Sequence, residues 1–216
     1  MSPTPSAPSP PTLQSGLALP YVYAVFFFSG TAALIYQVVW QRSLFAIFGV
    51  NIESVTIVVA AFMLGLGLGS TAGGALSTRP GAPLLRWFAA VELCIGIYGA
   101  FSLHLFRWVG ASTAGVGGMA VFALTFALVA LPTSLMGATL PLLVTHTVQR
   151  SGNVGKAVGI LYFTNTLGSA VASFATAVLL LGKLGQTRTV YAAALANFAV
   201  AAGAFVLDQR SRKEAP

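Results

Sequence analysis

The sequence predicts an all-α fold: a polytopic membrane helical bundle of about six transmembrane helices. Three observations predict it. Of 216 residues, 56% are hydrophobic and only 7% are charged, against about 25% charged in an ordinary soluble domain. The charges are also clustered: residues 1–41 carry none, and 54–78, 108–149, 157–182 and 189–207 are uncharged as well. A membrane-spanning helix needs about 20 mostly apolar residues, and these runs supply them. The composition excludes a water-soluble globule, which needs a polar coat, and a disordered chain. The lone cysteine, Cys94, excludes an internal disulfide and a cysteine-built metal site. The net charge of +7 does not point to nucleic acid, because the basic residues sit between apolar runs, as membrane topology requires.

Residues 1–18 are rich in Pro and Ser without periodicity and read as a disordered tail. They lack a positive leading region, so they do not read as a secretory signal. The first helix is expected near 20–45, closing on Trp40, Gln41 and Arg42. The second, near 53–75, contains Gly65-Leu-Gly-Leu-Gly-Ser-Thr-Ala-Gly-Gly74. Gly65, Gly69 and Gly73 recur every four residues and form one bare stripe, which lets a neighbouring helix approach closely inside lipid. That stripe serves packing within the bundle or between two copies. A nucleotide-binding glycine loop would need a preceding strand and an aqueous ligand.

The third helix is expected near 84–107, and within it the stretch 87–106 is broken only by the charge of Glu92. The fourth is placed at 117–146, because Gly110–Gly118 is too small and polar to span. Pro132 and Pro141 should kink it, with freed carbonyls taken up by neighbours such as Thr133 or Ser134. The fifth, near 157–182, repeats the small-residue theme with Gly168, Ala172 and Thr176. The sixth runs near 188–207, and a basic stub from Asp208 to Pro216 follows it. Attraction to anionic headgroups explains that stub.

An even number of spans puts both termini on one side. That side holds seven basic residues (Arg79, Arg86, Arg150, Lys156, Arg210, Arg212 and Lys213) against four on the other (Arg42, Arg107, Lys183 and Arg188). By the positive-inside rule both termini are expected in the cytoplasm, with the chain multi-pass in a bacterial inner membrane.

Glu92 is the only carboxylate deep inside a span, so it is the leading functional candidate. Helical rise puts it about 12 Å from the cytoplasmic end, and Asn165 of the fifth helix at the same depth. Ser70 and Thr139 fall near that layer. Glu92, Asn165, Thr139 and Ser70 are therefore expected to form a polar cluster that binds substrate or protons. A carboxyl that only locks helices together is the structural alternative. Gln37, Trp40 and Arg42 form a second, interfacial polar group; anchoring of the helix is its first reading, and an anion on Arg42 its second. His104 and His146 lie on different sides and do not suggest a metal site. Asn197 reads as a hydrogen-bond partner for a neighbouring helix. No nucleophile stands beside a base, and there are no paired carboxylates and no ligand cluster, so neither catalysis nor a cofactor is expected.

Several segments together resemble one family. They are Phe26-Phe-Phe-Ser-Gly30 with Ala32–Arg42, Ala61–Ser70, Glu92 with Gly96 and Tyr98, Leu131-Pro132 with Met136-Gly-Ala-Thr-Leu-Pro141, and Gly159–Gly168. In order and spacing they are similar to the membrane half of the bacterial fused MFS/spermidine synthase proteins. The resemblance covers about residues 20–207 and implies an MFS-half-like bundle. Family members continue into a soluble aminopropyltransferase domain, which these residues lack, so no synthase activity is expected of them. Gln37 stands where the family tends to have Glu, and the segment Gly74–Arg86 lacks the Asp usual in the MFS cytoplasmic loop.

The resemblance implies two functions. The first is a non-catalytic membrane scaffold or anchor for a soluble aminopropyltransferase-like, polyamine-related partner. The alternative is a transporter of polyamine-like cations, working as an MFS-like half, with a homodimer among its forms. Tyr36, Tyr98 or Tyr162 would then add cation–π contacts. The lipid bilayer is the partner in either case.

Overall fold

The computed structural model describes residues 13–48, 52–113 and 118–213. These residues form a bundle of helices, with no strand among them. Helix α1 spans Leu13–Phe48, α2 Ile52–Ser77, α3 Leu84–Ser112, α4 Gly118–Ser151 and α5 Val154–Ala175. A π-helical segment, Thr176–Leu180, runs on into α6, Leu181–Lys213. Leu19–Ile47, Val58–Ser77, Leu84–Ser112, Ala120–Ser151 and the run Val154–Lys213 are each long and apolar enough to cross a membrane. The protein is accordingly a membrane-embedded helical bundle.

The last run of 60 residues is continuous as a helix assignment, yet it cannot be one span. At 1.5 Å per residue it would reach about 90 Å, three bilayer cores. Gly185 resolves this, with φ 72° and ψ 174°, values outside the helical region. Only glycine reaches that conformation without steric cost, so the chain turns there. The Thr189 hydroxyl donates back to the Gly185 carbonyl at 2.7 Å and so satisfies an acceptor at the turn. Dividing the run at Gly185 gives the expected six spans.

Helix boundaries fall within about seven residues of expectation, with differences of that size at the start of α1 and around the junction of α5 and α6. Helix α1 begins at Leu13, inside the segment read as a tail through residue 18. Residues 1–12 of that segment, and 214–216 of the basic stub, lie outside the described residues. Asn153 caps α5 by accepting the Lys156 N–H at 2.9 Å, one of the donors a helix start leaves orphaned.

Three close pairings build the bundle: α2 on α4, α1 on α5, and α3 on α6, with α1 also against α6 and α3 against α4. Bare glycines explain how closely the first two approach. A methyl group added at Gly69 would strike the backbone of Ser134, and one at Gly73 would come within 2.7 Å of Ala138. Gly65 meets Thr133. The whole stripe thus faces α4 of the same chain. On the other pairing, Gly30 lies against Asn165 and Gly168 against Phe27. Backbone-to-backbone contact supplies the dispersion energy that a hydrophobic drive cannot supply in lipid.

Pro132 and Pro141 both lie inside α4. Lacking an N–H, Pro132 leaves the Leu128 carbonyl without its helical donor. The Tyr98 hydroxyl of α3 donates to that carbonyl at 2.5 Å. Thr133 and Ser134, the expected partners, instead donate to Val129 and Ala130 of their own helix. Their short side chains reach back only one turn along the same helix, so the freed carbonyl is satisfied from the neighbouring α3 instead.

Candidate functional site

Glu92 is completely buried, midway along the bundle on α3. Its Oε1 accepts from the Ser29 hydroxyl of α1 at 2.5 Å. Its Oε2 accepts from the Asn197 amide of α6 at 2.6 Å. Two neutral donors therefore hold one carboxylate between three helices. No Lys or Arg forms an ion pair with it among the described residues.

Asn165 does not meet Glu92. Its amide donates to the Phe26 carbonyl of α1 at 3.3 Å. The two residues share a depth, but α1 stands between them. Asn165 packs on one flank of the Phe26–Gly30 segment, and Glu92 is bound by Ser29 on another. The expected pairing is corrected on this point: Asn165 and Glu92 bind different groups of α1 and not each other. Asn197 and Ser29 take the place assigned to Asn165.

A cavity of about 260 Å³ opens beside this layer. That is room for about eight waters at ~30 Å³ each, or for a small organic molecule. All six helices contribute to its wall. Of the four expected substrate residues, Asn165, Thr139 and Ser70 line it, joined by Ser29, Ser169 and Asn197. Glu92 is not on the wall; it lies behind Ser29 and Asn197, which it binds. Ser70 and Tyr162 are both solvent- or lipid-exposed and mark the rim.

The hydrogen bonds fix what the wall offers. The Ser29 proton goes to Glu92, the Thr139 proton to the Met136 carbonyl at 2.7 Å, and the Ser169 proton to the Gly30 carbonyl at 3.2 Å. A hydroxyl has one proton, so these three present only lone pairs to the cavity. Asn197 turns its nitrogen to the carboxylate, which leaves Oδ1 as its acceptor. That oxygen is buried and has no hydrogen-bond partner among the described residues. Pro141 lacks the N–H that would ordinarily reach the Gly137 carbonyl, and Gly137 also lines the cavity. These groups present acceptors to the chamber, beside the Asn165 amide and the Ser70 and Tyr162 hydroxyls, and the Glu92 carboxyl lies behind the wall.

The second expected group, Gln37, Trp40 and Arg42, does not assemble. Trp40 is 1% exposed, and its indole N–H donates to the Ser102 hydroxyl at 2.9 Å. It stacks on Tyr36 at 4.9 Å and meets Tyr98 and Phe106 edge-on. It is the centre of an aromatic core, and the interfacial reading of Trp40 is corrected. Gln37 is half-buried and Arg42 exposed, so the three point to different surroundings. Helical spacing explains this: positions 36 and 40 share a face towards α3, while 42 is turned away from it. His104 is exposed near the end of α3, and His146 is buried near the end of α4, at opposite ends of the bundle.

One residue carried no functional signal in the sequence. Asp208, read as part of a basic stub, accepts from Arg86 at 2.7 Å and Arg212 at 2.9 Å through the same oxygen, Oδ2. Arg150 reaches Ser211 at 2.8 Å at the same end. By contrast, depth arithmetic does reach Ser29 and Asn197. They lie about 13 Å and 15 Å from the helix ends expected at residues 20 and 207, within one turn of Glu92. Comparison with protein-family models, curated proteins and solved structures found no match.

Proposed function

We propose that this protein is a non-catalytic membrane carrier module that binds a small organic cation in the chamber beside Glu92. The observation that carries it is a fully buried carboxyl with no cationic partner among the described residues, behind a chamber wall where Ser29, Thr139 and Ser169 present lone pairs. A buried charge costs several kcal/mol unless paired, and a buried acceptor without a donor adds about 1–3 kcal/mol. An ammonium supplies both the charge and the donors. The resemblance to the membrane half of fused MFS/spermidine synthase proteins narrows the class to polyamine-like cations. An MFS-like half, alone or as a homodimer, in an inner membrane with cytoplasmic termini, is the form that fits this reading.

The test is binding and uptake by the full chain in liposomes, with putrescine and spermidine against uncharged 1,4-butanediol. The diamines should bind, the diol should not, and Glu92→Gln should lose the diamines while keeping its fold. Equal binding of diol and diamine would overturn the reading. The second reading, a scaffold for a soluble aminopropyltransferase-like partner, rests on the arginine cluster around Asp208 at one end. Co-purification of such a partner with no diamine binding would favour it over the carrier.

A further inference from the structure

A second recess lies on the outer surface, between α3 and α6, with a volume of about 550 Å³. Its floor is made of alanines: Ala89 and Ala90 on α3, Ala201 and Ala202 on α6. Its apolar walls are Leu93, Phe198 and Phe205, and Arg86 closes one end. The far end is set by Phe198, whose ring lies 2.6 Å from where a Cβ on Gly96 would stand. The recess therefore runs from Arg86 to about Leu93, roughly 10 Å along the helix axis. That is within one leaflet, half of a hydrocarbon core about 30 Å thick.

We propose that this groove is a site for one anionic phospholipid, with an acyl chain on the alanine floor and the phosphate on Arg86. Charge complementarity selects the occupant. Arg86 and Arg212 both engage Asp208 through Nε. Their terminal guanidinium nitrogens make no hydrogen bond among the described residues, and two guanidiniums against one carboxylate leave a net positive charge. A guanidinium edge binds phosphate oxygens bidentately. The same positive charge disfavours the ammonium of a zwitterionic headgroup. A transmembrane partner helix fits less well, because it would need a bare face over the whole bilayer and the groove stops in one leaflet. The proposal is independent of the cation chamber.

The test uses the full chain in a lipid-free non-ionic detergent, titrated with phosphatidylglycerol or with phosphatidylcholine of matched chains. Bound lipid is counted by native mass spectrometry. One phosphatidylglycerol should be retained, with an affinity about fivefold above phosphatidylcholine, as one arginine beside an anionic headgroup gives. Ala202→Phe fills the groove from an exposed position and should lose the lipid without a change in melting temperature. Arg86→Gln should erase the preference between the two lipids and keep the chain-binding groove. Equal retention of both lipids by the parent overturns the proposal, as does unchanged retention in Ala202→Phe. Displacement by soluble glycerol phosphate, or a lipid-independent dimer mass that Ala202→Phe abolishes, overturns it too.

Discussion

Among the described residues two carboxylates are buried, and the chain treats them in opposite ways. Asp208, at one end, is 7% exposed and is met by two arginines. Glu92, at the centre, is fully buried and is met by a hydroxyl and an amide. Asp208 is thereby a closed unit, with its charge neutralised by its own protein. Glu92 is held by two neutral donors, with no cation beside it among the described residues. Partner chemistry separates a clamp from a site here, whereas burial alone would have ranked both as structural.

The contrast is broken most forcibly by changing Glu92 itself. Glu92→Gln should weaken diamine binding by more than about 30-fold, the loss typical when one member of a buried charge pair is removed. Isothermal titration of the purified protein reads this directly. The fold should survive, because glutamine keeps the size and one acceptor for Ser29 or Asn197. If Glu92→Gln binds the diamine as the parent does, then Glu92 is a lock like Asp208.

Next in size is Asn197→Leu. It removes a donor to the carboxylate and a buried acceptor that has no partner among the described residues. Loss of a hydrogen bond to a charged group costs about 1.5–3 kcal/mol. A fall in thermal stability accompanied by weaker diamine binding is expected, whereas a purely structural asparagine would lower stability and leave affinity unchanged. Ser29→Ala should show the same coupling on the other carboxylate oxygen.

Tyr98→Phe gives a control away from both carboxylates. It removes the hydroxyl that satisfies the Leu128 carbonyl freed by Pro132. About 1 kcal/mol of stability should be lost, with diamine affinity retained. A loss of affinity here would place the α4 kink in the binding step and blur the line between site and frame.

The sequence and the structure agree best where one-dimensional quantities decide. Span count and the layer holding Glu92 follow from run length and helical rise, and both need only distance along an axis. The pairing of Glu92 needed the angular order of helices around that axis, which the sequence does not carry. Asn165 was therefore matched to Glu92 by depth, while α1 separates them and Asn197 takes the place. Trp40 misled for a related reason: its position beside Gln41 and Arg42 suggested the interface. Its side chain follows the α3-facing stripe shared with Tyr36. Asp208 was masked by the arginines that follow it, because a run of charge hides which member is turned inward.

The smallest expected effect falls on the closed unit, and it sharpens the comparison from the other side. Arg86 and Arg212 are 44% and 51% exposed, so water and salt screen both ion pairs. Asp208→Asn should therefore cost no more than about 1 kcal/mol, or about 2–4 °C in melting temperature for a chain of this size. Raising the salt concentration should shrink the difference between Asp208→Asn and the parent. The same salt should change the effect of Glu92→Gln much less, since no water screens a fully buried carboxylate. A double-mutant cycle of Arg86→Gln with Asp208→Asn measures the pair itself, and its coupling should also fall with salt. Diamine affinity should stay with the parent throughout, because Asp208 has already satisfied its charge. If Asp208→Asn weakened diamine binding as strongly as Glu92→Gln, the two carboxylates would be parts of one pathway.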